Sequence, residues 1–250
     1  MTHPYVQSIK PIAFAHRGGA SDAPENTMPA FQRAMDLGYR YIETDVHATK
    51  DGVLLAFHDD DLLRTCGQPG LISEMTYDEV KHFRINGLEP IPLMQEIFAA
   101  WPNAMVNIDC KADTALLPLT AALRGPGILD RVCVGSFSDK RLATLRETFG
   151  PSLCTSLGPR EVAKLRVRSW VGPAPSFPGA YAAQVPHKQG PLTITDKKFV
   201  DEAHDSGLKV HVWTIDDPAE MHQLFDLGVD GIMTDRPQVL KDVMIERGIW

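Results

Sequence analysis

Two histidines bracket a pair of carboxylates near the start of the chain. His16 ends an apolar run, Ile12-Ala13-Phe14-Ala15, and precedes Arg17-Gly18-Gly19. Glu43 and Asp45 sit two apart in Tyr41-Ile42-Glu43-Thr44-Asp45, and His58-Asp59 ends a second apolar run, Val53-Leu54-Leu55-Ala56-Phe57. Residues two apart on a strand share a face. Two carboxylates on one face repel unless a cation or protons lie between them. A hard divalent cation held by oxygen ligands and flanked by two proton-trading histidines outlines a hydrolytic site. Arg17 and its glycines suit a phosphate oxygen: the guanidinium binds it, and glycines let backbone approach closely.

Positioning these groups takes a regular scaffold, and strand-like and helix-like segments alternate along the whole chain. Strands are expected at 12–15, 41–45, 53–58, 105–110, 132–136, 153–157, 182–185, 209–214 and 231–234. Helices are expected at 27–37, 93–101, 114–124, 140–149, 161–166, 196–206, 218–227 and 237–246. The first helix is opened by Asn26/Thr27 with Pro29 in its first turn and closed by Gly38. Nine strands are one too many for an eightfold barrel. Only seven residues separate Asp45 from Val53, and a parallel crossover needs a dozen or more. The segment 53–58 is therefore expected to return antiparallel around Thr49-Lys50-Asp51-Gly52. With the turn centred on Lys50-Asp51, Glu43 would face His58. Eight parallel strands remain, as an α/β fold of the (β/α)8 TIM-barrel type requires. Residues 60–92 then form a small insertion after the second strand, expected over the active face. The Pro- and Gly-rich stretch 172–191 reads as irregular loops around the sixth strand.

Catalytic groups in such barrels sit at the C-terminal strand ends. His16, Glu43, Asp45, Asp109, Lys111, Ser136, Trp213 and Asp235 all fall there. Asp109 and Lys111 share one face of Asn107-Ile108-Asp109-Cys110-Lys111, with Cys110 turned into packing. Asp109 suits a third oxygen ligand and Lys111 an anionic substrate; the alternative is an ion pair that only fills the barrel mouth. His47 alternates with Glu43 and Asp45 but reads as a solvated hairpin residue. The remaining histidines, His3, His82, His187, His204, His211 and His222, read as surface or packing residues.

Composition agrees with one large α/β unit. The chain has 250 residues, 44% of them hydrophobic, enough for a sizeable core. Its 25 basic and 32 acidic residues give a net charge of −7 without a basic cluster, which argues against a nucleic-acid partner. Cys66, Cys110, Cys133 and Cys154 show no C-x-x-C spacing and read as buried or incidental thiols in a reducing compartment. No apolar signal core and no run approaching a membrane span is present, so a cytoplasmic location without a transmembrane segment is expected.

The ordered series His16-Arg17-Gly18-Gly19, Pro24-Glu25-Asn26-Thr27, Glu43-Thr44-Asp45-Val46, Thr49-Lys50-Asp51-Gly52, His58-Asp59, Asn107-Ile108-Asp109-Cys110-Lys111, Val212-Trp213-Thr214 and Gly228–Pro237 resembles the glycerophosphodiester phosphodiesterases from end to end. The resemblance implies a distorted (β/α)8 barrel spanning 1–250, with the insertion at about 60–92. It implies one divalent metal, Mg²⁺ or Ca²⁺, on Glu43, Asp45 and Asp109, with His16 and His58 as the acid/base pair. Arg17 and Lys111 would contact the phosphate, and Trp213 would join them in binding substrate. The expected reaction is metal-dependent hydrolysis of a small-molecule glycerophosphodiester to sn-glycerol 3-phosphate and an alcohol. Lysophospholipids are the alternative substrate, and a non-catalytic phosphate-binding barrel is the reading from another class. One departure stands out: the family usually has Glu at the third metal position, where this chain has the shorter Asp109.

Overall fold

Side chains alternate across a strand, so every strand of a closed parallel barrel feeds one row of residues inward and one row outward under the helices. The computed structural model of the chain describes residues 3–172 and 175–250. In chain order its first elements are β1 (Ile12–Ala15), α1 (Met28–Asp36), β2 (Tyr41–Ala48) and β3 (Leu54–Ala56). The insertion follows, with α2 (Leu63–Cys66), α3 (Tyr77–Val80), β4 (Arg84–Ile85) and β5 (Glu89–Pro90). Then come α4 (Met94–Ala100), β6 (Met105–Cys110), α5 (Asp113–Leu123), β7 (Val132–Gly135), α6 (Asp139–Phe149), β8 (Cys154–Ser156) and α7 (Pro159–Val171). The chain finishes with β9 (Ala180–Pro186), β10 (Lys188–Gln189), β11 (Leu192–Thr193), α8 (Lys197–Asp205), β12 (Lys209–Trp213), α9 (Pro218–Leu227), β13 (Gly231–Thr234) and α10 (Pro237–Glu246).

Strands β1, β2, β6, β7, β8, β9, β12 and β13 run parallel and close into a barrel, β1 pairing with both β13 and β2. The barrel is distorted where β2 outruns β1. Phe14 and Ala15 pair with Tyr41 and Ile42, and beyond them the free edge of β2 is taken by β3, antiparallel. Val46 pairs with Ala56 and Ala48 with Leu54, so the hairpin turns about Asp51. That shifts the expected register by one residue, and Glu43 does not face His58. The turn is closed by Thr49, whose N–H donates to the Val53 carbonyl (3.0 Å) and whose Oγ1 accepts from the Val53 N–H (2.9 Å).

Inward residues change character with height. At the bottom Tyr5, Ile12, Phe14, Tyr41, Met105, Cys133 and Cys154 form an apolar plug. Higher on the same strands the inward positions are Glu43, Asp45, Asn107 and Asp109. Outward residues such as Ile42, Val106, Ile108, Cys110, Val134, Val210 and Ile232 join the helices in the main core. Burying each such side chain contributes roughly 1.5–3 kcal/mol. The insertion carries its own core: Leu62, Ile72, Val80, Ile85 and Ile91 pack on Leu55 and Phe57.

Two expectations are corrected here. The short helix expected at 161–166 is a thirteen-residue helix, α7. Pro159 starts it and the Glu161 carboxylate accepts from the Gly158 N–H at 2.9 Å, cap signals that outweigh a weak apolar periodicity. The stretch 172–191 holds the expected sixth strand, β9, but the chain after it is not irregular: β10 pairs with β11 in a short hairpin that runs on to Thr193; positions 173 and 174 lie outside the described residues. No described helix is long and apolar enough to cross a membrane.

Candidate active site

The loop after β1 folds back into the barrel mouth because its backbone enters the left-handed region at Arg17 (φ 51°) and Gly18 (φ 83°). A Cβ on Gly18 would lie 2.7 Å from the Ala30 Cβ, so only glycine fits against α1. This turn aims the Arg17 N–H at Glu43 Oε2 (3.1 Å) and brings the Arg17 guanidinium to Asp45 (3.1 Å) and Glu25 (3.1 Å). Buried Asn26, at φ 54°, donates from Nδ2 to Asp45 Oδ2 at 3.0 Å and accepts from the Thr44 hydroxyl at 2.8 Å. The Pro24-Glu25-Asn26-Thr27 motif thus holds the first loop against the end of β2.

His16, Arg17, Glu43, Asp45, His58, Asp109, Lys111 and Trp213 all line one cavity of 680 Å³ at the C-terminal end of the barrel. Every site residue expected from the sequence is therefore brought together. The Nδ1 nitrogens of both histidines are held by carboxylates, His16 by Asp235 at 2.7 Å and His58 by Asp59 at 2.6 Å. Such a bond makes Nδ1 the donor and fixes the ring, leaving Nε2 to act. His16 Nε2 lies 3.8 Å from Glu43 Oε2.

Lys111 Nζ sits between Asp45 Oδ1 (2.9 Å) and Asp109 Oδ2 (2.7 Å). The ion pair is real, but it faces the cavity and does not merely seal the mouth. Among the described residues, no three His, Cys, Asp or Glu side chains close on one point as they stand. Asp109 Oδ1 is buried with no hydrogen-bond partner.

Electrostatics separate the two β2 carboxylates. Burial, and then the neighbouring Asp45, push Glu43 up to about 7, against the pull of His16, Lys111 and Arg17. Burial also opposes ionisation of Asp45, but Lys111, Arg17 and His58 outweigh it and hold that carboxyl below its ordinary value. Lys111 is pushed up to about 12, burial being overcome by Asp45 and Asp109. His16 is raised because Glu43 and Asp235 overcome its burial. At Asp59, burial is overcome by hydrogen bonds from Arg64 and His58, which bring it down to about 2.

Several site residues went unassigned in the sequence. Asp235 falls at a strand end without a visible partner, since His16 is 219 positions away. Asp59 is adjacent to its histidine, and that adjacency was its only signal. Glu25 and Asn26 fall in a motif of the resemblance but received no role, and Arg64 carries no local signal that separates it from a surface residue. Two expectations fail. His47 is buried, and its Nε2 meets the His58 carbonyl at 3.1 Å, so it braces the hairpin. The insertion does not cover the cavity: no residue between 60 and 92 lines it. Its buried apolar residues pack on Leu55 and Phe57, while Leu63, Leu71 and Leu88 stay exposed away from the cavity lining. The outer wall comes instead from Phe137, Leu157, Pro159, Val162, Val185, Pro186 and the β10 strand.

A parallel barrel whose mouth gathers two oriented histidines, carboxylates and two cations is the site of an enzyme acting on an anionic substrate. The sequence profile of the glycerophosphoryl diester phosphodiesterase family matches residues 16–239. The chain is 36% identical over 249 residues to a protein of Mycobacterium tuberculosis (strain ATCC 25618 / H37Rv) named probable glycerophosphodiester phosphodiesterase 2, spanning 96% of this chain and 92% of that one. It is 30% identical over 262 residues to a glycerophosphodiester phosphodiesterase of Caldanaerobacter subterraneus subsp. tengcongensis, spanning 96% and 100%. Its fold matches that of an Oleispira antarctica phosphodiesterase solved in complex with the product sn-glycerol-3-phosphate, with a TM-score of 0.78, 21% identity and 96% and 99% of the two chains covered. The chain belongs to the glycerophosphoryl diester phosphodiesterase family and is an enzyme of that family.

Proposed function

We propose that the protein hydrolyses glycerophosphodiesters to sn-glycerol 3-phosphate and an alcohol, with His16 and His58 as its acid/base pair. The observation that carries this reading is the pair of oriented imidazoles, each held at Nδ1 by its own carboxylate and both facing one cavity. One Nε2 takes the proton of the nucleophile and the other returns a proton to the departing alkoxide. Each transfer contributes typically about 10²–10⁴-fold in rate. Arg17 and Lys111 bind the non-bridging phosphoryl oxygens, and Trp213 borders the substrate from the far side of the mouth.

Glu43, Asp45 and Asp109 are the residues that would hold a divalent metal, Mg²⁺ or Ca²⁺. All three are oxygen donors suited to a hard cation. The unpartnered Asp109 Oδ1 and the raised Glu43 carboxyl mark oxygens short of positive charge. When bound, such an ion polarises the phosphoryl group and offsets charge on its oxygens. Lys111, now between Asp45 and Asp109, would then turn to the substrate. Asp109 would hold the ion with one methylene less reach than the glutamate usual in the family.

The substrate is a small molecule, and a cytoplasmic location accords with it. A second reading, cleavage of lysophospholipids, is favoured by the apolar outer wall of the cavity, with Phe137 exposed and edge-on to Trp213 at 5.8 Å. A panel of glycerophosphodiesters and lysophospholipids, assayed with Mg²⁺, with Ca²⁺ and with chelator for the phosphomonoester each would release, glycerol 3-phosphate or lysophosphatidic acid, separates the two. Faster turnover of glycerophosphodiesters supports the first reading. Turnover confined to lysolipids selects the second, and turnover of neither class removes both.

A further inference from the structure

Arg64 belongs to the insertion, outside the cavity lining, and yet it touches the site twice. Its Nη1 and Nη2 donate to Glu25 Oε2 and Oε1 at 2.8 and 2.6 Å. Its Nε and Nη2 donate to Asp59 Oδ2 and Oδ1 at 2.6 and 3.1 Å. One guanidinium therefore satisfies all four oxygens of two carboxylates. Glu25 in turn accepts from Arg17 at 3.1 Å, and Asp59 holds His58 at 2.6 Å. A continuous chain of charged groups, Arg17–Glu25–Arg64–Asp59–His58, joins the loop after β1 to the end of the β2–β3 hairpin.

We propose that Arg64 is a positioning residue that fixes His58 through Asp59 and Arg17 through Glu25. The inference rests on the reading of His58 as an acid/base group and of Arg17 as a phosphate contact. An exposed single ion pair contributes little because its side chains lose freedom to form it. Here the backbone that carries Arg64 is held by the fold, and one fork meets two carboxylates at once. Arg64 stands on α2, whose first turn is held by the Leu63 N–H on Asp61 (2.7 Å) and which is anchored by buried Leu62 before it and buried Thr65 within it. The Thr65 carbonyl accepts from the Asn86 N–H at 2.7 Å, tying α2 to the β4–β5 hairpin. The planar fork matches two carboxylates bidentately, which a lysine ammonium cannot do. This gives the insertion a role other than a lid: its core holds one arginine in place.

The test is steady-state kinetics of Arg64→Ala, Arg64→Lys and Asp59→Asn, singly and combined, on the substrate the wild-type enzyme turns over best. Arg64→Ala should lower kcat about ten- to a hundredfold and raise KM, with the thermal midpoint within a few degrees of wild type. Arg64→Lys should recover KM in part and kcat little. In the Asp59→Asn background, Arg64→Ala should cost little further kcat, because its route to His58 is already cut. Losses of kcat that multiply in the double variant, wild-type kcat and KM in Arg64→Ala, or a kcat loss that only tracks lost folded protein would each overturn the proposal. His58→Ala serves as the reference: full kcat there overturns the catalytic reading, whereas loss there with none in Arg64→Ala overturns the role of Arg64 alone.

Discussion

Replacing Asp235 with asparagine removes a charge 2.7 Å from His16 Nδ1 while keeping the shape of the side chain. Two unit charges at that distance interact by about 6 kcal/mol at an effective dielectric of 20 and by about 1.5 kcal/mol in bulk water. The Asp235 side chain is 31% exposed, so solvent screening brings the pair towards the lower limit, about 1.5–3 kcal/mol. At 1.36 kcal/mol per pKa unit, the protonation midpoint of His16 should fall by about one to two pH units. The sign follows from the site: burial opposes the imidazolium, while Glu43 and Asp235 together hold the His16 value above normal. Without Asp235 that excess shrinks. The limb of the pH–rate profile that reports His16 should therefore move to lower pH, whether His16 acts first as acid or as base. At the optimum, kcat should fall about ten- to a hundredfold. The structural contact of this residue to Ser21 uses the Asp235 carbonyl, so the thermal midpoint should change little. Profiles measured from acid to alkaline pH decide the matter. An unmoved limb with unchanged kcat would refute the orienting role.

Three further outcomes are expected. Gly18→Ala should destabilise the protein and lower activity together, because its Cβ would lie within 3 Å of Ala30 and Phe31 at a left-handed φ; thermal melts and kcat on the same preparation check this. Asp230, bonded to His204, Lys209 and the Val210 N–H, is brought down to about 2 once those contacts overcome its burial. Asp230→Asn should cost about 1–3 kcal/mol near neutral pH, and the difference from wild type should vanish as pH falls from about 4 through 2, a window that urea melts can resolve. Asp109→Ala should weaken Mg²⁺ or Ca²⁺ binding in calorimetric titration more than it lowers the melting temperature, and Asp109→Glu should retain binding. Unchanged affinity in Asp109→Ala would leave that residue as the partner of Lys111 alone.

The barrel was legible because its two periodicities are local. Apolar runs ending in His16, Asp45 or Asp109 announce strand ends, and the short gap before Val53 forces the antiparallel return. The hairpin register was off by one because Thr49 closes the turn through its own side chain, which alternation of apolar residues does not encode. The two site histidines could be read because each ends an apolar run, and the acidic residues because residues two apart on a strand must share a face. Their partners could not: Asp235 meets His16 only when β13 closes against β1, and Arg64 meets Glu25 only across 39 positions. The insertion was placed over the cavity from its length and its position after the second strand; it does pack a core of its own, on Leu55 and Phe57, but lends no residue to the cavity lining. The real outer wall comes from the ends of β7, β8 and β9 with the loops after them, stretches that read in sequence as ordinary strand ends and loops.

The central claim is that one cavity cleaves a phosphodiester by means of His16 and His58. Its most direct test follows the phosphorus of a glycerophosphodiester by ³¹P NMR, with Mg²⁺ or Ca²⁺ present, using wild type, His16→Ala and His58→Ala at equal folded concentration. Wild type should convert the diester signal to that of sn-glycerol 3-phosphate, and each variant should do so at least about a hundredfold more slowly. Conversion at the wild-type rate by either variant, or no phosphomonoester from wild type with either metal, would contradict the account.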